Sequence, residues 1–205
     1  MKKLFILIAV FVISAGIVSA SENASEQGKL KVDTKASKVY WTGKKVTGEH
    51  TGYVTVEDGT LMMKDGKLSG ATINMNMNSI VCTDLEGEWN GKLVGHLKSD
   101  DFFSVEKHPI AKFEAKSFKK TGMKHEVTGD LTIKGITHEV SFPVDVKMDG
   151  DKVMANGTAK FDRTKWDIRY RSGKFFSDLG DNLIYDEFEI KFELVATASE
   201  EYTSL

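Results

Sequence analysis

The sequence predicts an all-β protein, an eight-stranded antiparallel barrel with a short helical insert around residues 85–108. The clearest observation is the segment from Phe188 to Leu194, in which apolar and charged residues alternate one by one. Side chains of a strand point to opposite faces in turn, so this pattern indicates one dry face and one wet face. The same alternation recurs along most of the chain, and closing such a sheet removes its edges. The pattern alone leaves an open two-sheet sandwich as the alternative.

The strands before the insert are predicted from alternation and from turn residues. The first begins at Val39 and Trp41 and runs towards Val46. Short strands at 53–56 and 60–63 flank Asp58-Gly59, a pair that is typical of a hairpin turn. Asp65-Gly66 predicts the next turn, after which a long strand places four apolar residues on one face: Ala71, Ile73, Met75 and Met77.

The insert and the second half of the barrel follow. Trp89, Leu93 and Leu97 fall at i, i+4 and i+8, which predicts that they share one face of a short helix. Strands resume after Pro109, and Asn156-Gly157 predicts a turn or a bend inside one of them. The predicted apolar faces cover 111–115, 127–133, 140–148, 153–161 and 186–195, with an irregular segment at 172–185.

Both ends of the chain are predicted to lie outside the barrel. Lys2 and Lys3 precede an apolar run, and Val18-Ser19-Ala20 fits the small-residue cleavage rule. Residues 1–20 are therefore predicted to be a secretory signal peptide cleaved after Ala20, the alternative being an uncleaved anchor. We further expect a flexible N-terminus at 21–29, one barrel domain at 30–196 and a C-terminal tail at 197–205.

Composition argues against nucleic acid and against an anionic membrane surface as partners. The chain has 28 Lys and Arg against 30 Asp and Glu, a net charge of −2, and loss of the signal peptide makes it more acidic. Cys82 is the only cysteine of the 205 residues, so no disulfide can form within the chain. We expect Cys82 to act as a small buried apolar residue.

Signals for catalysis and for metal binding are weak. No serine lies in a G-x-S-x-G elbow, and no glycine pattern forms a phosphate-binding loop. The histidines form no H-x-H or H-x-x-x-H pair, so we predict no metal site, no cofactor and no enzymatic activity. The five histidines are His50, His96, His108, His125 and His138.

The inward faces of the strands form the first candidate site. If the barrel is hollow, these residues bind a ligand, and Met75 and Met77 supply an adaptable surface for an alkyl guest. If the barrel is filled, the same residues only touch one another across a core. The predicted ligand-binding residues are Trp41, Ile73, Met75, Met77, Phe113, Leu131, Phe142, Phe161, Phe188, Ile190 and Phe192.

Clustered arginines form the second candidate site. Arg163, Arg169 and Arg171 are the only arginines of the chain and lie within nine residues of one another. Guanidinium groups bind carboxylate or phosphate oxygens at two points, so these residues are candidates for holding a polar head group. The alternative is that they pair with neighbouring acids such as Asp162 or Asp186.

Four segments carry a family resemblance. The run from His96 to Pro109, H-L-K-S-D-D-F-F-S-V-E-K-H-P, resembles the signature of the YceI-like family. V-T-G-D-L-T-I-K-G-I-T at 127–137, F-D-R-T-K-W at 161–166 and the closing strand at 186–194 are similar to further elements of that family. The chain departs from the family pattern at Asp167, where a glycine commonly follows the aromatic residue.

This resemblance implies a lipocalin-like barrel in the periplasm that binds a polyisoprenoid or a similar amphiphile, quinone-like lipids included, in its bore. His96 then joins the three arginines as a head-group candidate. We expect a lipid partner, and the resemblance is compatible with transient membrane contact and with a homodimer. The alternatives are an enzyme that modifies an isoprenoid or a quinone, with His96 in proton transfer, and a filled barrel that serves as a stress-related protein-interaction module.

Overall fold

The computed structural model describes residues 27–198, which form one barrel of antiparallel strands with a single α-helix. The predicted signal peptide lies outside these residues. Two short 3₁₀ turns, Arg163–Trp166 and Gly180–Asn182, lie between the last two strands. The elements are β1 Gln27–Val32, β2 Lys38–Lys45, β3 Gly48–Lys64, β4 Lys67–Cys82, α1 Gly87–Lys98, β5 Ile110–Thr121, β6 Lys124–Ile133, β7 Ile136–Asp149, β8 Lys152–Asp162 and β9 Ile184–Ala198.

Eight of the strands close into a ring, in the order β2-β9-β8-β7-β6-β5-β4-β3 and back to β2. Every pairing in this ring is antiparallel. The predicted eight-stranded antiparallel barrel is therefore confirmed, and the open sandwich is excluded.

The first strand occupies the same position in the wall as β2. It pairs with β3 and β9, the two neighbours of β2, but further along them, and residues 33–37 separate the two segments. Because β1 begins at Gln27, residues 27–29 belong to the wall and not to the expected flexible N-terminus. At the other boundary β9 continues to Ala198, two residues into the predicted tail.

The two ends of the barrel differ in their connections. The tight turns β3–β4, β5–β6 and β7–β8 all lie at one end, which we call the hairpin end. The helix α1, the β6–β7 turn and the segment between β8 and β9 lie at the other, which we call the plug end.

One predicted turn is wrong. Strand β3 runs unbroken through Asp58-Gly59, and the register with β4 shifts between Val56 and Asp58, which indicates a bulge and not a hairpin. A Cβ atom at Gly59 would lie 2.8 Å from Val32 Cγ2 and 3.1 Å from Ile73 Cδ1. Glycine is required here because β1 packs closely on β3 and leaves no room for a side chain. The residue does not form a turn.

The helical insert is confirmed, but one of its predicted contacts is not. Leu97 is buried against the barrel, whereas Trp89 is 70% exposed and its ring lies 4.8 Å from the Lys92 ammonium. Only the C-terminal part of the predicted apolar face of α1 therefore packs on the sheet. Among the residues described, no helix has the length and apolar character needed to span a bilayer.

A group of fully buried side chains closes the plug end. Trp166 and Ile168, from the segment after β8, have essentially no exposed surface. The Trp166 indole donates a hydrogen bond from Nε1 to the Leu131 carbonyl at 3.1 Å, and its ring meets Phe161 and Phe188 edge-on. This end of the barrel is thus sealed by side chains from two of the segments that carry the family resemblance.

Candidate ligand-binding cavity

The interior of the barrel is hollow. It contains a cavity of about 150 Å³ whose walls come from all eight strands of the ring and from Phe103 in the insert. Every residue that lines it is aliphatic, aromatic or methionine, and the lining has no charged side chain. A void of this composition favours an apolar guest over water, because a buried water needs polar partners.

All eleven residues that the alternation predicted as inward-facing line this cavity. They are Trp41, Ile73, Met75, Met77, Phe113, Leu131, Phe142, Phe161, Phe188, Ile190 and Phe192. Their placement shows that the parity of the strands was assigned correctly. Their role in binding stays a prediction.

Exposure of the inner wall distinguishes a hollow interior from a filled one. Phe113 and Met75 face inward, yet both are only half-buried, since part of their surface borders the void. The aromatic rings group on one side, where Phe142 contacts Phe113, Phe161 and Phe192 at centroid distances of 5.2, 6.1 and 5.7 Å. The filled-core interpretation is therefore not supported.

Small residues and one loop residue complete the lining. Ala71 and Ala115 are register partners across β4 and β5, both line the cavity, and both are half-buried. Parity places both on the inward faces, but alanine carries little weight in a search for apolar walls, so neither is among the predicted ligand-binding residues. Phe103 lies outside any strand, so strand periodicity offers no signal for it.

The structure places Arg163, one of the predicted head-group residues, in a buried position off the cavity wall. Its side chain is 5% exposed and donates hydrogen bonds to the carbonyls of Ile168, Ile184 and Tyr185 at 2.7, 3.0 and 3.1 Å. Burial lowers the pKa of the guanidinium, while Asp186, 3.5 Å away, raises it. Arg163 is thus committed to holding the plug end together, which leaves it no free face for a ligand.

The other three head-group candidates also lie off the cavity wall. Arg169 pairs with Asp167 at 2.6 Å and lies 4.8 Å from the Phe175 ring, and Arg171 is exposed. His96 meets Tyr170 edge-on at 4.4 Å. Arg169, Arg171 and His96 therefore lie off the cavity wall, and their role in holding a head group stays a prediction.

A cluster of metal-binding residue types occurs where the sequence predicted none. His50, Cys82 and Asp84 each offer one ligand atom, and the three atoms lie within 4.8 Å of one another. His50 Nδ1 is 2.8 Å from the Asp84 carboxylate, and the Cys82 thiol donates to the same carboxylate at 3.2 Å. Pairing of β3 with β4 brings these residues together, and no local spacing in the sequence could reveal it.

The protonation of this cluster follows from its hydrogen bonds. Partial burial raises the pKa of Asp84, but the Thr51 backbone N–H, His50 and Cys82 all bond the carboxylate and together lower its pKa to about 2. Burial also raises the pKa of the Cys82 thiol. In the absence of a metal the site is therefore an ionised carboxylate between an imidazole and a neutral thiol.

A closed antiparallel barrel around a dry, apolar interior belongs to the class of lipocalin-like barrels. Residues 30–196 match the YceI-like domain. The chain therefore belongs to the YceI-like family, and the resemblance found in its motifs is confirmed.

Sequence relatives carry the same family names. A UPF0312 protein of Photorhabdus laumondii is 38% identical over 85 residues, which are 42% of this chain and 44% of that protein. A UPF0312 protein of Pseudomonas putida is 28% identical over 171 residues, 80% and 83% of the two chains. Protein YceI of Escherichia coli O157:H7 is 28% identical over 123 residues, 60% and 62%. The matches to the first three relatives span 44% to 62% of their lengths.

Solved structures share the fold. BcnA of Burkholderia cenocepacia superposes with a TM-score of 0.63 at 26% identity, covering 81% of this chain and 99% of that one. A polyisoprenoid binding domain from Saccharophagus degradans, implicated in plant cell wall breakdown, superposes with a TM-score of 0.61 at 12% identity, covering 85% and 100%. At the lower identity the likeness establishes the fold alone.

Proposed function

We propose that this chain binds an isoprenoid-type amphiphilic lipid inside its barrel and sequesters or carries it in the periplasm. The observation that supports this most is the cavity, whose lining comes from all eight strands of the ring and contains no charged group. The YceI-like family, and within the fold a relative described as polyisoprenoid-binding, support the choice of lipid. The predicted signal peptide supports the compartment.

The energetics suit a carrier. Burial of apolar area yields about 25 cal/mol per Å² relative to water, which favours an enclosed tail over a free one. Membrane hydrocarbon is as apolar as the cavity wall, so transfer between bilayer and barrel is nearly neutral for the tail. Such a protein can therefore load and unload without a chemical step.

The size of the cavity defines how the guest is held. A dry void of about 150 Å³ accommodates a guest the size of benzene, so a tail of several isoprene units needs more room. Met75 and Met77 can provide this room, because the methionine side chain has three flexible torsions and repacks at low energetic cost. The tail displaces these side chains, and the remainder lies towards the mouth.

The lining also discriminates between the alternatives. An enzyme would need a proton-transfer group at the cavity, whereas the described lining has no titratable side chain and His96 lies outside it. A filled barrel that serves as a protein-interaction module would expose Phe175 and Phe176 and would have no cavity. Both rings are about half exposed, but the cavity is present. Binding of a small apolar guest is the function that these observations favour.

We place the mouth at the hairpin end, because the plug end is sealed. The three hairpin tips at 62–67, 119–124 and 147–152 together carry seven lysines and three aspartates, although the whole chain is acidic. Each tip also exposes a methionine, and Met123 is 95% exposed. Basic residues beside exposed apolar side chains are the combination that docks on an anionic bilayer.

Charge reversal at the tips tests this docking. We expect Lys120→Glu together with Lys147→Glu to weaken binding to vesicles of phosphatidylglycerol and phosphatidylcholine by more than about tenfold, since each lysine near such a surface contributes ~1 kcal/mol. Co-sedimentation with vesicles measures the effect. Lys45→Glu with Lys165→Glu changes the net charge equally at the plug end and should bind as the parent does. Equal loss in both pairs would show that net charge alone governs binding.

The lipid-binding proposal itself is tested by extraction and by refilling. Untagged protein purified from its host is expected to release an isoprenoid-type lipid into organic solvent, and the stripped protein should bind farnesol at a single saturable site. Ala115→Phe fills the cavity and should weaken farnesol binding at least tenfold. Glu114→Phe adds the same ring on the outer face of β5 and serves as the control. Protein that yields no lipid and ignores farnesol would refute the proposal.

A further inference from the structure

We propose that His50, Cys82 and Asp84 form a binding site for a thiophilic divalent cation, with Zn²⁺ as the ion that the donor set fits best. The site goes beyond lipid binding and does not depend on it. It lies at the plug end, where β4 ends at Cys82 opposite Gly52 and the chain continues along β3 to Asp84.

The donors match the coordination chemistry of zinc. The site offers an imidazole nitrogen, a thiol sulfur and a carboxylate oxygen, which are the three ligand types of protein zinc sites. In a tetrahedral complex such ligand atoms stand roughly 3.4–3.6 Å apart. Here the three donor atoms lie within 4.8 Å of one another, and the carboxylate is 2.8 Å from His50 through Oδ2 and 3.2 Å from Cys82 through Oδ1. Binding therefore requires side-chain shifts of about 1 Å that bring the donor atoms to the spacing of a tetrahedral site.

The backbone around the donors is already fixed. Thr51 donates its N–H to Asp84 Oδ1 at 2.7 Å, and the Thr83 N–H bonds the Thr51 carbonyl at 2.9 Å. Asn90, in α1, donates from Nδ2 to the carbonyls of Cys82 and Leu85 at 2.9 and 2.8 Å. These contacts hold the loop after β4 in place without a metal, which reduces the ordering cost of binding.

Burial is graded across the site. Cys82 is 6% exposed, whereas the side chains of His50 and Asp84 are 27% and 33% exposed. An ion can therefore enter from the solvent side and keep a water as its fourth ligand. Three protein ligands with one open position give an exchangeable site and not a closed structural one.

The same geometry disfavours a nucleophilic cysteine. A nucleophile needs a base that accepts the thiol proton, and in cysteine enzymes that base is a histidine. Here the thiol donates a hydrogen bond to Asp84. The same carboxylate is also hydrogen-bonded to Nδ1 of His50, so this histidine nitrogen is not available to accept the thiol proton. On metal binding the thiol proton leaves to solvent and the thiolate bonds the ion.

The test uses the untagged protein, because an affinity tag of histidines would bind zinc itself. We expect one Zn²⁺ per chain in competition with a chromogenic chelator, and a thiolate-to-metal charge-transfer band when Co²⁺ is added. Cys82→Ser and His50→Gln should each weaken Zn²⁺ binding at least tenfold. His125→Gln alters a histidine near the hairpin end and should leave both readouts unchanged.

Two results would overturn the site. Addition of Co²⁺ to the parent protein without a thiolate band would show that Cys82 does not ligate, whatever the variants do. Zn²⁺ affinity that is unchanged in Cys82→Ser, with thermal unfolding confirming an intact fold, would show that the ion binds elsewhere. Farnesol binding is measured on the same samples, so failure of the metal site is distinguished from failure of the barrel.

Discussion

Replacement of Arg163 by methionine is expected to lower the free energy of unfolding by about 3–5 kcal/mol, the cost of breaking a buried ion pair by removing one partner. The guanidinium bonds the carbonyls of Ile168, Ile184 and Tyr185 and faces Asp186. Methionine fills most of the space but satisfies none of these groups. The three carbonyls would then lose their donor, and Asp186 would lose the nearer of its two cations.

Urea denaturation measures this change, and Arg169→Met is the matched control. Arg169 is exposed and pairs with Asp167 at the surface, so its loss should alter the free energy of unfolding by less than about 1 kcal/mol. Similar effects of the two substitutions would show that Arg163 does not hold the plug end. A large loss at Arg163 alone would confirm that this arginine is structural.

Replacement of Met75 by lysine is expected to weaken farnesol binding by about a hundredfold or more. The new ammonium would lie against a wall of apolar side chains, where an unpaired charge is strongly disfavoured. Even an uncharged lysine side chain would occupy the space that the flexible Met75 side chain can vacate for a guest. The effect should appear mainly as a higher Kd in titrations monitored by displacement of a lipophilic dye.

The control for Met75→Lys is Asn74→Lys on the same strand. Asn74 lies one residue earlier, faces outward and bonds Asp58 at 2.8 Å, so a lysine there meets solvent and a carboxylate. Binding should be retained. If Met75→Lys keeps the parental Kd and the parental melting curve, the guest does not contact this part of the wall.

The barrel and its lining could be predicted because they depend on local alternation. Parity along β4 and β9 places Met75 and Phe188 inward whatever the closure of the sheet, since a one-residue slip would reverse every side chain. The hairpin expected at Asp58-Gly59 shows the limit of such reasoning. Glycine is needed at position 59 because Val32 approaches the backbone closely, and this contact joins segments that are distant in sequence.

What the sequence could not predict about the polar residues has the same origin. Arginine is a residue type that binds head groups, but the role of Arg163 depends on its burial and on carbonyls about 20 residues away in sequence. Neither can be predicted from the local spacing of residues. His50 and Cys82 are 32 residues apart and meet only through the β3–β4 register. The departure from the family pattern at Asp167 is easier to explain. Its φ of 57° lies in the left-handed region that glycine favours, which accounts for the glycine that the family commonly has at this position.

Because the plug end is sealed, the barrel is a one-ended pocket with a single entrance. Trp166 and its buried neighbours form the floor, so under the proposed function a guest would leave by the route through which it entered. Two guests could not pass each other in so narrow a bore. Exchange would then proceed through an empty form, and donor and acceptor would be served one after the other.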